Sequence, residues 1–300
     1  MGPRRPHTHR PAWWTTLGLS LCVLVALAAG PARASDPIGH VGTHPFVVTG
    51  VVKHGESSAL IREFVNYLSE RTGYPLHVVN ADTYDKLSQI LRSRTDALGW
   101  TCGRPFVEDH ASDNQQLIAV PLFNGMPVYH SVVLARKEDR GEQISDFRGR
   151  VLAYSDPRSN SGYLAPAVAL NRAGIDIKKH FRYLSRTGLH EHAIRALRNE
   201  LADVAAVDEY VWVQYRKDHP EVTRELVELE RYGPFPFTPV VAADGVPPEV
   251  IQRVRRALTE MQLDPKGVEI LARFGLGGFV SRDPSFYEPI RRMLREIDAS

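Results

Sequence analysis

The chain has 300 residues, with 37 Lys and Arg against 35 Asp and Glu, a formal charge of +2, and 43% hydrophobic residues. That length is enough for two lobes with their own cores, and the near-neutral balance argues against a nucleic-acid binder, which needs a basic surplus. Two cysteines are too few for a fold stapled by disulfides.

Residues 1–34 read as an export signal. Arg4, Arg5 and Arg10 form a basic start, Leu17 to Ala29 is apolar and uncharged, and Ala32-Arg33-Ala34 is a small-residue cleavage site before Ser35. The apolar stretch is shorter than the ~20 residues a spanning helix needs, and Cys22 lies inside it rather than at its end, which does not suit lipid attachment. Removing 1–34 removes four Arg and no acid, so the charge falls from +2 to −2 and only Cys102 remains. An intramolecular disulfide is then excluded. The expected protein is periplasmic, and any anion site in it must work by local geometry.

From there the chain alternates. Phe46 to Lys53 reads as a buried strand. Glu56 to Arg71 has the helical spacing of Leu60, Phe64, Val65 and Leu68. Leu76 to Val79 is a strand, Tyr84 to Arg92 a helix, and Asp96 to Trp100 a strand followed by the turn Thr101–Pro105. Leu117 to Pro121 and Val128 to Ala135 are further strands. A second unit repeats the rhythm: strand Arg150–Tyr154, helix Tyr163–Arg172, strand Phe181–Leu184, helix Glu191–Arg198, strand Asp203–Val207, helix Asp208–Arg216 and strand Leu226–Glu230. The Pro-rich run Tyr232–Pro239 cannot be a central strand and reads as a crossover between lobes. Helices are expected over Pro248–Gln262, Pro265–Arg273 and Pro284–Asp298. The fold class is α/β, with two lobes around a cleft. In open α/β sheets ligands sit beyond the carboxyl ends of the strands. Thr83-Tyr84, Thr101-Cys102-Gly103, Ser159–Gly162, Leu189-His190 and Asp208-Glu209 all fall there.

The most informative stretch is AYSDPRSNSGYLAP, Ala153–Pro166. Ser159, Asn160, Ser161 and Gly162 open a helix after a strand and a turn. Free N–H groups at a helix start, helped by the macrodipole, form an anion nest without Lys or Arg. The same residue types also serve as ordinary N-caps, and the pattern fits both. Pro166 should kink or loosen the second helical turn. His190 can donate one hydrogen bond to an anion, although a surface helix start is the commoner role. His192, two residues on, points elsewhere, so a paired metal site is not expected. Tyr84 and Tyr129 can wall a small-ligand cleft, but such tyrosines are more often half-buried packing residues. Asp208 can balance a cationic ligand group or cap the helix it begins. Nucleophile-elbow, P-loop and dinucleotide-binding patterns are missing, so catalysis, cofactors and metals are not expected. Cys102 reads as a small, partly buried residue, and Arg104 either charges the cleft or faces solvent.

YHSVVLARKED from Tyr129 and ISDFRGRVLAYSDPRSNSGYLAP after it resemble the phosphate/phosphite/phosphonate-type, PhnD-like family of periplasmic substrate-binding proteins. The family pattern is roughly Y-x-S before an apolar strand, a short D-L-k-G-k segment, then D-P-x-S-T-S-G-[YF]-x-x-P. Gly188-Leu189-His190, the strand Leu201–Val207 and Thr83-Tyr84 extend the likeness, which runs from about residue 45 to the C-terminus. The resemblance implies a type II periplasmic binding protein fold with a hinge and an interlobe cleft. It implies lobes of 45–128 plus 240–300 and of 129–239, and an oxyanion held by Ser159, Ser161, His190, Tyr84 and Tyr129. Asn160, Gly162 and Asp208 complete the candidate set. The implied function is delivery of a small tetrahedral oxyanion to an ABC transporter permease by a monomer; a periplasmic sensor partner of a membrane signalling protein is the alternative. Asn160 stands where the family usually has Thr. The acids that grip an amino group in aminophosphonate binders do not align with Asp208 and Glu209.

Overall fold

The computed structural model describes residues 42–50 and 57–299. The expected signal, residues 51–53 of the first expected strand and Glu56 lie outside them. Among the described residues no helix is long and apolar enough to cross a membrane.

The first half of the chain runs β1 (His44–Val48), α1 (Ser57–Thr72), β2 (Leu76–Asn80), α2 (Tyr84–Ser93), β3 (Leu98–Trp100), α3 (Gly103–Asp113) and β4 (Gln116–Leu122). The second unit runs β5 (Val128–Arg136), β6 (Val151–Tyr154), α4 (Ala165–Arg172), α5 (Ile177–His180), β7 (Tyr183–Arg186), α6 (His190–Arg198), β8 (Val204–Asp208), α7 (Glu209–Asp218), α8 (Pro220–Thr223) and β9 (Leu226–Pro236). The chain returns through β10 (Val240–Ala242), α9 (Pro248–Thr259), α10 (Pro265–Phe274), β11 (Gly278–Val280) and α11 (Glu288–Asp298).

The strands form two sheets, ordered β11-β4-β10-β3-β1-β2 and β7-β6-β8-β5-β9. In the first, β1 lies parallel between β2 and β3, and β10 slots in antiparallel between β3 and β4. In the second, β6 is parallel to β7 and β8, and β5 runs antiparallel to β8 and β9. This is a two-lobed type II binding-protein architecture. Each sheet buries its own apolar faces. Phe64 on α1 stands 5.4 Å from Trp100 and 5.8 Å from Phe46, ring to ring, while Leu152, Leu170, Phe181 and Val204 pack in the second lobe. Between the lobes, Phe237 donates its N–H to Pro127 O (2.9 Å) and accepts the Tyr287 hydroxyl at its own carbonyl (2.6 Å). The passages of the chain between sheets are therefore tied together at one place.

Several expectations change. The run 101–105 is not only a turn: α3 begins at Gly103. The strand expected to end at Glu230 continues to Pro236, through the Pro-rich run. β9 is an edge strand, where proline's missing N–H faces no partner, so the crossover itself shrinks to Phe237–Pro239. The short strands β10 and β11 were not anticipated.

Candidate ligand-binding site

The strand registers bring the site together. Val48 pairs with Trp100, so Thr49 and Thr101 emerge side by side from the carboxyl ends of β1 and β3. Tyr154 pairs with Ala206 and Arg186, which sets the loops after β6, β7 and β8 next to one another. β5 runs the other way, and Ser131 opposite Asp208 brings Tyr129 to the same end. Gly50 then meets Leu189 of the other lobe: a Cβ on Gly50 would press on Leu189 Cδ2. A side chain at position 50 would have to push the Leu189 side chain aside.

The serine-rich start is a π-helical turn, Asn160–Leu164, leading into α4. Pro166 explains it. Proline has no N–H for the carbonyl four residues back, and the turn widens instead: Leu164 N bonds Ser159 O at 3.0 Å, and Ala165 N bonds Asn160 O. Pro166 then falls in the first turn of α4, where its missing donor costs little. The kink expected in the second turn is thus a widened first turn, a form common at functional sites. The Ser131 hydroxyl braces it by donating to Ser161 O at 2.6 Å.

Both readings of Ser159–Gly162 hold in part. Ser159 is the N-cap, its Oγ accepting from Gly162 N at 2.9 Å. Asn160 N donates to Cys102 Sγ of the opposite lobe (3.5 Å), and Asn160 Nδ2 donates to the Tyr129 hydroxyl (3.1 Å). Helix geometry leaves the N–H groups of Ser161 and Tyr163 without an intrahelical acceptor. The Ser161 hydroxyl is fully buried; it lies beside the Tyr129 phenol without completing a hydrogen bond. Thr49 Oγ1, Thr101 Oγ1, Asn160 Oδ1 and Asp208 Oδ2 are likewise buried and unpartnered. Buried polar atoms are nearly always paired; these five stand at strand ends and at the helix start of the two lobes.

His190 is 1% exposed rather than on the surface. Gly188, at φ +80°, turns the chain before it. The Nδ1 of His190 accepts from Asp208 N at 3.2 Å, which places the proton of the neutral ring on Nε2; that atom is 3.3 Å from Ser155 Oγ. Burial lowers its pKa to about 3, so the ring donates without carrying charge. Asp208 caps α7, its Oδ1 accepting from Tyr210 N at 2.8 Å. Burial raises its pKa to about 8, so at neutral pH the carboxyl is mainly protonated. Asp208 lies within electrostatic reach of Tyr84, Tyr129 and Cys102. Burial pushes both phenols and the thiol up. Tyr84 and Tyr129 are fully buried rather than half-buried. Cys102 is also buried, packed against Tyr84.

Two residues singled out in the sequence lie outside this cluster. Glu209 binds the His130 N–H (2.9 Å) and the guanidinium of Arg231. Arg104 pairs with Glu108 at 2.8 Å and donates to Pro157 O at 2.9 Å. Thr101 stands at the strand end where the sequence places the Thr101-Cys102-Gly103 turn, whereas Thr49 and Ser155 carry no signal of their own in the sequence. Among the described residues no cluster of His, Cys, Asp or Glu could hold a metal ion.

The site is therefore a closed set of uncharged donors: hydroxyls, helix-start N–H groups, a neutral imidazole and a protonated carboxyl. Such a set fits an anion whose charge is spread over several oxygens. The family of periplasmic substrate-binding proteins of phosphonate ABC transporters matches residues 46–287. The chain belongs to that family.

Solved structures agree on the fold. A binding-protein component of an ABC phosphonate transporter from Pseudomonas aeruginosa is 20% identical, with a TM-score of 0.77 over 84% of this chain and 85% of that one. PhnD1 from Prochlorococcus marinus, in complex with methylphosphonate, is 18% identical, with a TM-score of 0.75 over 86% of this chain and 98% of that one. A Xanthomonas citri protein bound to ATP is 21% identical, with a TM-score of 0.69 over 86% and 98%. The chain is thus a substrate-binding protein of the phosphonate-transporter type, and its family is periplasmic.

Proposed function

We propose that this member of the family binds a small, singly protonated tetrahedral oxyanion, of the methylphosphonate or phosphite kind, between its lobes. It works as a monomer, exported by cleavage after residue 34, and hands the ligand to an ABC permease. The lobes are residues 45–128 with 240–300, and 129–239. Ser159, Asn160, Ser161, Gly162 and His190 hold the anion from one side, with Tyr129 and Asp208. Thr49, Thr101 and Tyr84 close on it from the other. The observation that carries this reading is the set of buried, unpartnered hydroxyls, Thr49 and Thr101 at adjacent strand ends of one lobe and Ser161 at the helix start of the other.

The proton on the ligand follows from Asn160. One of its two Nδ2 hydrogens goes to Tyr129, and its Oδ1 is a buried acceptor without a donor. A P–OH group supplies that donor; sulfate, fully ionised at neutral pH, does not. An acceptor left unsatisfied costs about 1–3 kcal/mol, so sulfate binds about 5- to 150-fold more weakly than methylphosphonate. A thermal-shift screen of methylphosphonate, phosphite, phosphate, 2-aminoethylphosphonate and sulfate tests both statements, because a tight ligand raises the melting midpoint by mass action. The first three shift it strongly and sulfate weakly. No shift with any phosphorus oxyanion refutes the proposed ligand class, and a sulfate shift equal to that of methylphosphonate refutes the role of Asn160.

A further inference from the structure

Arg158 sits one residue before the N-cap of the anion nest, in the second lobe, yet every side-chain partner it has belongs to the first. Its Nε donates to Glu108 at 2.7 Å, one terminal nitrogen to Asp109 at 2.6 Å and the other to Ser88 at 2.7 Å and Asp85 at 3.4 Å. A longer bond reaches Pro105 O at 3.5 Å. These groups stand on α2 and α3. Arg158's own N–H is held at home by Asp156 Oδ1 (2.8 Å), and Asp156 is held by Arg186 (2.8 Å). The loop is therefore fixed to its lobe while the guanidinium reaches across. Arg104 adds a second crossing, from α3 to Pro157 O.

Asp109 makes the arrangement asymmetric. It is 3% exposed, accepts from Gln115 at 3.1 Å and from the Ser88 hydroxyl within its own lobe, and has Arg158 as its cationic partner. Both neighbours are neutral. With the lobes apart, water can hydrate the Asp109 and Arg158 charges. With the lobes together and Arg158 missing, Asp109 would be buried with no cation in contact, an unfavourable state; Arg92, a cation within electrostatic reach, is itself paired with Asp113. The pair therefore acts on the closed form.

We infer that Arg158 is a positioning residue that latches the lobes: by pairing with Asp109 and Glu108 across the cleft it stabilises the closed form and sets how long the anion stays bound. The inference rests on the proposed ligand class, and it concerns the dwell of the ligand rather than its recognition. Arg158 touches α2 and α3, not the nest donors, so a ligand still reaches the nest in the open form when the latch is lost. Affinity falls chiefly through faster release.

The experiment is stopped-flow and calorimetric binding of methylphosphonate to the full mature chain, in wild type, Arg158→Ala, Asp109→Asn and the double variant. Arg158→Ala releases methylphosphonate 10- to 100-fold faster with an association rate within about threefold of wild type, the usual pattern when a buried charge pair is truncated. Asp109→Asn also releases the ligand faster, and the double variant loses much less than the sum of the two single losses, because both changes remove the same contact. A residue serving only the fold would move the unliganded melting midpoint and show no such coupling in the release rate. Unchanged release from Arg158→Ala, or single losses that simply add in the double variant, overturns the latch. If wild type binds no phosphorus oxyanion the ligand class fails separately. The latch is then read by small-angle scattering of the unliganded proteins: a larger radius of gyration for Arg158→Ala supports it, and equal radii overturn it.

Discussion

Gly162→Ala weakens methylphosphonate binding by at least about 100-fold, near 3 kcal/mol, while the protein stays folded. The backbone tolerates alanine at this position, and in a helical turn alanine is favoured over glycine by about 1 kcal/mol. The cost lies in the space around the new methyl group. It would stand 2.8 Å from Ser155 Oγ, 3.0 Å from Ser159 Oγ and 3.3 Å from His190 Cε1. If the Ser159 hydroxyl rotates away, it gives up its bond to residue 162, a cap worth about 1 kcal/mol. If Ser155 moves, the imidazole loses its neighbour. Either way the methyl crowds the Ser155 and Ser159 hydroxyls and the edge of the His190 ring. Calorimetric titration gives the affinity, and thermal unfolding without ligand gives the stability. An affinity within a few-fold of wild type would mean that the ligand does not lie against Gly162.

Asp208→Asn removes a pH-dependent loss of stability. The folded pKa is raised to about 8 by burial, against about 3.9 in an unfolded chain. Between those values the folded state holds a proton that the unfolded state has released. Stability therefore falls as pH rises, by up to about 1.4 kcal/mol per pH unit. His190 has the opposite sign. Its folded pKa is about 3, against about 6.5 unfolded, so its contribution grows as pH rises from 3 to 6.5. The two slopes offset one another between about pH 4 and 6.5, and above that only the Asp208 slope remains. Wild type loses up to about 2 kcal/mol between pH 6.5 and 8, whereas Asp208→Asn stays flat. Asn retains the oxygen that caps α7 and an N–H in place of the carboxyl O–H. Denaturant unfolding at a series of pH values reads this out directly. A wild-type curve as flat as that of the variant would show that Asp208 is ionised in the fold. The same titration weakens anion binding above about pH 8, where a carboxylate would face the ligand.

Much of the fold is legible because each lobe follows the β-α rhythm with long, evenly spaced apolar residues. Elements lacking that signal are not legible. GRPFVEDHASD begins with Gly and Pro and has only Phe106 and Val107 as an apolar pair, yet it forms α3 because β3 must turn back to β4 and because those two side chains are buried. VVA at 240–242 is three residues long beside a proline, and becomes a strand only because β3 and β4 leave a slot for it. In the site, the run of small polar residues after VLAY stands out locally. The adjacency of Thr49 and Thr101 does not, since it depends on the register of two strands whose paired residues are 52 positions apart. The depth of His190 depends on the turn at Gly188 and on the Asp208 N–H, neither of which an isolated helix-start pattern reveals.

The Ser161 hydroxyl is the sharpest test, because it is buried beside the Tyr129 phenol without completing a hydrogen bond in the fold. Titration of methylphosphonate at pH 7 into wild type and Ser161→Ala should show one site in both, with the variant about 5- to 150-fold weaker, as loss of a donor to a charged group requires. Its unliganded melting midpoint should be no lower than that of wild type. Equal affinities in the two proteins would contradict a nest formed by the start of this helix.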